Sequence, residues 1–447
     1  MKQIYLIISF ILVTVFANAQ KSETLSLSMD EAVNFALSNS YAIKNAKLDI
    51  DWAEKKKWET TTMGLPQINA ELGYQNFLKQ GVTLIPAEIF GGEAGEFMEV
   101  TFGTKQNANA TVKLEQLIFD GSYLVGLQSA KTFLKISNLG KEKTENTIRE
   151  AVINAYGNVL LAEESIQILE KNRSSVEKNY LETVEIVKNG MAEEQDAEQL
   201  QITLSSLDNQ LNKAQRFEII ARKMLNITLG IDINKDIILT DHLKELADRN
   251  TDLNLFNQSF NLDNHVDFKL ADNNVRANEL FVKLEKSRAL PSINAFVNYS
   301  KFANNDNNIF FSNYDQKWFD SSLFGINMHI PIFSSLQRSS KTQQAKIALI
   351  QSQNDLDEIS QKLKLQVASS KNKYQFSIDQ YHTAKQNLAL AERIEKKEQI
   401  KFFEGLSSSF NLTTAQNQLY DKQRDYLQSI IEIINTKVEL ENALNIK

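Results

Sequence analysis

Any catalytic chemistry in this 447-residue chain must draw on four histidines (His242, His265, His329, His382) and 56 acidic residues, because there is no cysteine. The histidines are dispersed. None stands in an H-E-x-x-H or similar spacing that would set two imidazoles on one helix face for a metal. Gly121 and Gly126 have phosphate-loop spacing, but Leu127 and Gln128 stand where that loop needs Lys and Ser or Thr. No G-x-S-x-G nucleophile elbow occurs. The pattern predicts no enzyme, no cofactor and no metal site. The missing cysteine also excludes disulfides, thiolate ligands and a lipid-modified N-terminal cysteine. A net charge of −7 without a basic block argues against a nucleic-acid partner.

The elements hold more information than the reactive groups do. "MKQIYLIISFILVTVFANAQ" carries one Lys, an apolar run from Ile4 to Phe16 and then Ala17-Asn18-Ala19. This predicts a secretory signal over residues 1–19, cut before Gln20. No later stretch is apolar enough for a transmembrane helix.

The remaining chain is written twice. "GLPQINAELGY" at 64–74 returns as "ALPSINAFVNY" at 289–299, with Pro66 and Pro291 225 apart. "LIFDGS" at 117–122 returns as "PIFSSL" at 331–336, 214 apart. "VKNGMAEEQDAEQLQITL" returns as "FFEGLSSSFNLTTAQNQL", with Gly190 and Gly405 215 apart, and "LNITLGI" returns as "LENALNI" at the same offset. The offset changes only between the strand-like segments, where a loop can vary. The spacing predicts a first repeat over 20–231, a mid-height segment over 232–261 and a second repeat over 262–447.

Each repeat reads as helix, strand, loop, strand, long helix and return helix. Ser28 and Glu31 form a capping-box signature at the first helix start. Ile68, Ala70, Leu72 and Tyr74 then alternate with Gln67, Asn69, Glu71 and Gly73. Ala108, Ala110, Val112 and Leu114 alternate with Asn109, Thr111, Lys113 and Glu115. In the second repeat Ile293, Ala295, Val297 and Tyr299 oppose Ser292, Asn294 and Asn298, while Phe296 breaks the polar face. Phe324, Ile326, Met328 and Ile330 oppose Gly325, Asn327 and His329. Four strands are predicted, about 66–78, 107–119, 291–302 and 322–333, each of the length that crosses a bilayer obliquely. Beyond Gly121 an apolar seam runs Val152, Ala155, Val159, Ala162, Ile166, Leu169, Arg173, Val176, Tyr180, Val184 and Val187. Its steps alternate three and four, the period of a left-handed coiled coil. Gly190 and Gly405 mark the turns into the return helices.

Open strand edges cannot face lipid, and four strands cannot close a barrel. Strands in a membrane would therefore oblige several copies to share one barrel.

The ordered set of motifs, "LSLSMDEAVNFALSNSYAIKNAKLDI", the paired "LPQINAELGY" and "LPSINAFVNY", "LIFDGSYLVGLQSA" and the paired glycine turns, resembles the TolC-like outer-membrane efflux and secretion channel family over residues 25–447. The resemblance implies a mixed α and β membrane protein. In it, a long coiled-coil α-helical barrel is continuous with a transmembrane β-barrel of four strands per protomer, twelve in a homotrimer. It implies an outer-membrane location extending into the periplasm, and a passive conduit, the exit duct of a tripartite efflux pump. A periplasmic adaptor would open it and an inner-membrane transporter would power it. Strand Glu71, Lys113, Glu115 and His329 would face the barrel lumen. Gly190 and Gly405 would form the closable tips. In the family an acidic residue six positions past the turn glycine constricts the pore. Asp196 stands there in the first repeat and the uncharged Asn411 in the second, with Glu193, Glu194 and Glu404 close by. Secretion of polypeptide by a type I system is the alternative within the class. A pore-free periplasmic coiled-coil scaffold is the alternative outside it.

Overall fold

The structure, a computed structural model, describes residues 25–306 and 316–446. The expected signal peptide lies outside the described residues, as does 307–315 of the second inter-strand loop. In chain order the elements are β1 (Leu25–Leu27), α1 (Met29–Asn39), α2 (Tyr41–Thr62), β2 (Gln67–Asn76), β3 (Val82–Pro86), β4 (Phe97–Thr101), β5 (Gln106–Asp120), α3 (Gly121–Lys188) and α4 (Glu194–Leu229). The second half contains β6 (Ile237–Leu239), α5 (Leu243–Arg249), α6 (Val266–Ser287), β7 (Ser292–Asn305), β8 (Phe319–His329), α7 (Gln337–Phe403) and α8 (Ser409–Leu444). They fall into two compact units. One comprises Ile50–Ser137 and Ala271–Leu356; the other holds the rest of the chain.

In the first unit β2, β5, β7 and β8 form an antiparallel sheet in the order β2-β5-β7-β8. Ile68, Leu114, Val297 and Phe324 lie in one cross-strand row, and Ala70, Val112 and Tyr299 in the next. Nothing among the described residues covers that apolar face: Leu72 is 84% and Phe324 67% exposed. β5 carries a bulge at Ile118, where the pairing with β7 slips between Leu117 and Phe119. The bulge explains how Leu117, Ile118 and Phe119 sit side by side in a strand that otherwise alternates.

β5 meets α3 without a loop because Asp120 caps the helix. Its Oδ1 accepts from the Ser122 N–H at 2.6 Å and the Tyr123 N–H at 3.1 Å. The second repeat makes the same passage differently. β8 stops at His329, opposite Ser292, the first residue of β7. Pro331, which has no N–H to donate, follows. Ser335 and Leu336 then adopt left-handed backbone, and the Arg338 guanidinium donates to the Pro331 carbonyl at 2.6 Å. The last strand therefore ends short of the expected 333. The Gly-rich segment between β2 and β5 contains a hairpin, β3–β4, that composition did not foresee.

In the second unit the helices pack through two separate apolar clusters. The larger joins α1, α3, α4, α5, α7 and α8 around Tyr156, Leu225, Tyr374, Ile430 and Ile433. β1 pairs in parallel with β6 beside it. The smaller gathers Val176, Leu200, Leu207 and Leu412. The capping box at Ser28 forms: Glu31 accepts from the Ser28 N–H at 2.8 Å, and the Glu31 N–H donates to Ser28 Oγ at 3.4 Å. The repeat is visible in the helix ends. Gly190 and Gly405 both take positive φ. The next N–H reaches back five residues in each case, Met191 to the Ile186 carbonyl (3.1 Å) and Leu406 to that of Lys401 (2.8 Å), the Schellman pattern. Gly230 and Asn445, again 215 apart, end α4 and α8 in the same left-handed way.

Candidate functional site

Two surfaces carry the residues singled out from sequence. The first is the polar face of the four-stranded sheet. Gln67 pairs with Glu115, and Asn69, Lys113 and Asn298 share a row. Glu71, Thr111, Ser300 and Ser321 share the next. His329 lies on this face at its far end, opposite Ser292. Lys113 and Glu115 form an ion pair, and Thr111 Oγ1 and Ser300 Oγ are 3.0 Å apart. Phe296, the apolar intruder, lies across Gly325, where a Cβ would meet its ring at 2.5 Å. The Lys113 ammonium sits 5.8 Å from the same ring centroid. The glycine thus makes room for the Phe296 ring on the polar face.

The second surface is the pair of helix turns. At the first, Glu193 precedes α4, and its N–H donates to Asp196 Oδ2 at 3.4 Å. Asp196 is therefore a helix-start cap, favoured there by the macrodipole. Glu193 and Glu194 are exposed beside it. At the second turn Ser408 caps α8, accepting from the Asn411 N–H at 3.3 Å. Asn411 Nδ2 donates to Ser407 Oγ, and Ser407 Oγ donates to Glu398 at 2.8 Å. Hydrogen bonds from Lys401 and Ser407 hold the Glu398 carboxyl below its ordinary range. Asp196 and Asn411 thus occupy the same third helical position, and only the first carries charge. Glu404 lies apart from Asp196, in a groove shared with Lys178 and Glu182 of α3.

Behind the turns lies a polar seam that the apolar pattern misses. The buried line of α3 runs Asn172, Val176, Asn179 and Thr183. It leaves the apolar seam read from sequence, which continues through Arg173, Tyr180 and Val184. Asn172 donates to Gln423 at 2.7 Å, and Gln399 donates to Asn179 at 3.2 Å. Arg173 instead pairs with Asp208 at 2.6 Å and Glu177 at 2.8 Å. Gln416 of α8 is 1% exposed, and neither of its amide atoms has a hydrogen-bond partner. Burial pushes the nearby Glu395 carboxyl up; the Gln416 amide offsets part of that without making a hydrogen bond of ordinary geometry. A buried amide left unpaired costs about 1–3 kcal/mol. Gln416→Leu, close in volume, is therefore expected to raise the thermal midpoint by a stabilisation of that order. A lowered midpoint in a melting scan would show that the amide is satisfied.

The four histidines stay apart: His242 precedes α5, His265 is buried before α6, His329 is on the sheet and His382 is on α7. Among the described residues no three metal-ligating groups gather, and no helix is long and apolar enough to cross a membrane.

Residues 260–445 match the outer membrane efflux protein family model. No curated protein matches the chain in sequence. Among solved structures the chain is similar to the Campylobacter jejuni CmeC outer membrane channel (TM-score 0.72, 16% identity, 93% of this chain and 85% of that one). It is similar also to CusC, described in terms of folding and transmembrane channel formation (TM-score 0.71, 16%, 96% and 95%). A third is the outer membrane protein VceC from Vibrio cholerae (TM-score 0.70, 13%, 93% and 95%). The first two are described as channels and the third as an outer membrane protein. Residues 260–445 thus resemble the outer membrane efflux protein family, and the chain shares the fold of these outer-membrane proteins.

Proposed function

We propose that three copies of this chain form an outer-membrane channel serving as the exit duct of a tripartite efflux pump. A periplasmic adaptor opens it and an inner-membrane transporter powers it. One observation carries the reading: four antiparallel strands, apolar on one face and polar on the other, have an unpaired edge at β2 and another at β8. Lipid tolerates the apolar face but not the edges. Pairing β8 of one copy with β2 of the next removes both edges, and three copies close a barrel wide enough to hold water. Glu71, Lys113, Glu115 and His329 then line the lumen. The turns at Gly190 and Gly405 gather in the periplasm as the closable end, with Asp196, Asn411, Glu193, Glu194 and Glu404 near the constriction. The chain supplies no energy source of its own, so the passage is passive.

Extracted in mild detergent, the protein is expected to have a mass near three protomers and to give conductance steps in planar bilayers. A stable, detergent-free monomer would exclude the barrel and favour a scaffold. The topology has a separate test. Protease added to intact cells should cut within the inter-strand segments, about 79–106 and 301–321, and spare the Gly190 turn. Cleavage at Gly190 in intact cells would reverse the orientation.

A further inference from the structure

Between the two apolar clusters of the helical unit, α3, α4 and α8 line a half-open cavity of about 580 Å³. Ala162 and Ser165 on α3 and Ala214 on α4 leave room for it. Along α4 the inward line passes from Leu207 through Leu211 to Ala214 and Glu218 before reaching Ala221 and Leu225. Glu218 turns aside to pair with Arg222. On α3 the small residues Ala162 and Ser165 are part of the lining. The space is of the size that ordinarily takes a small organic molecule. Its walls include Leu161, Ile168, Phe217 and Leu427, and its end is closed by the Asn172–Gln423 hydrogen bond.

The charges around it have one sign. Lys213 and Arg424 are part of the lining, and no Asp or Glu is. Arg424 has a partner, Asp421, at 2.5 Å. Lys213 makes no ion pair or hydrogen bond among the described residues. An apolar chamber with an uncommitted ammonium at its rim complements a molecule with an apolar body and one acidic group.

We propose that this cavity is a binding site for a small amphipathic organic anion, such as an aryl sulfonate or carboxylate. The apolar body occupies the space beside Phe217, and the acidic group meets Lys213 and Arg424. The site lies within one protomer and away from the glycine turns. It does not depend on the efflux reading.

The test uses the full-length protein in nanodiscs of uncharged phosphatidylcholine, titrated calorimetrically with 2-naphthalenesulfonate. Saturable binding at one site per chain is expected. The uncharged 2-naphthylmethanol should bind about tenfold more weakly, the loss of one charge-assisted contact. Lys213→Gln, at an exposed position that leaves the core untouched, should weaken the sulfonate by a similar factor and leave the alcohol unchanged. Ala214→Phe should fill the cavity and abolish binding of both. Absence of saturable binding overturns the proposal, including the case in which a neighbouring copy covers the mouth. So does equal binding of alcohol and sulfonate, or sulfonate affinity indifferent to Lys213→Gln. If Ala214→Phe fails to fold, the Lys213→Gln and alcohol comparisons still decide.

Discussion

Gly230→Ala is expected to be among the most damaging single-methyl additions in this chain. Gly230 ends α4 with φ +77°. Its own N–H donates to the Ile227 carbonyl, and the next N–H, of Ile231, reaches the Asn226 carbonyl at 3.1 Å. A Cβ there would lie 2.4 Å from the Asn39 carbonyl oxygen and 2.7 Å from the Ser40 Cα. Both are backbone at the junction of α1 and α2, so no side chain can swing away. Left-handed backbone alone costs a non-glycine residue about 1–2 kcal/mol, and forced overpacking adds about 1–3 kcal/mol. Together they suggest roughly 2–5 kcal/mol, which for a unit of this size lowers the thermal midpoint by roughly 4–20 °C. Asn445 separates the two causes. It occupies the matching end of α8 at φ +56° without being glycine. If backbone conformation were the whole requirement, Gly230→Asn would be well tolerated. The overlap with Asn39 and Ser40 predicts that it is nearly as harmful as Ala. A melting midpoint for Gly230→Asn within a degree or two of the parent would refute the packing argument.

That contrast also shows what one sequence can and cannot disclose. Local grammar was readable because it is local: a Ser and a Glu three apart make the cap at Ser28, and a glycine after a long helix makes the turn at 190 or 405. The duplicated offset carried the architecture further, since two copies of one pattern constrain each other. Juxtaposition across the fold was not readable. Gly230 and Asn445 occupy matching positions, yet a Cβ at Gly230 would meet the Asn39–Ser40 backbone, whereas Asn445 carries a side chain that donates to the Asn264 carbonyl at 3.1 Å. The bulge at Ile118 hid inside an apolar run that fits either face of a strand. The buried line of α3 turned from Val176 to Asn179 and Thr183 because Gln399 and Gln423 approach from other helices. A search for apolar periodicity passes over such a seam, and it passes equally over the cavity, which is made by residues too small to count. The acidic candidates at the turns were named from a family resemblance. Their local geometry explains why a carboxylate is stable there, which is a separate matter from what it does to an ion.

Asp196→Asn is expected to lower the cation preference of the open conduit and weaken its block by multivalent cations, with little change in stability. In the proposed trimer three copies of Asp196 approach one axis. Carboxylates gathered in a narrow passage concentrate cations and repel anions. The structure makes this an unusually clean substitution. Asp196 caps its helix by accepting from the Glu193 N–H, and an asparagine carbonyl can accept the same bond. Asn411 already occupies the corresponding third position of α8. What the change removes is charge, together with the helix-dipole contribution of about 0.3–1 kcal/mol. Trimer mass and melting midpoint should therefore stay close to the parent, so a change in selectivity can be assigned to the field. Asn411→Asp should act in the opposite direction, strengthening cation preference and block by adding a second ring of charge. Reversal potentials under a salt gradient in planar bilayers, with and without a trivalent cation, measure both effects. If neither variant moves the reversal potential, the charge that sets selectivity lies elsewhere. Glu193 and Glu194 at the first turn and Glu404 at the second then become the carboxylates to neutralise.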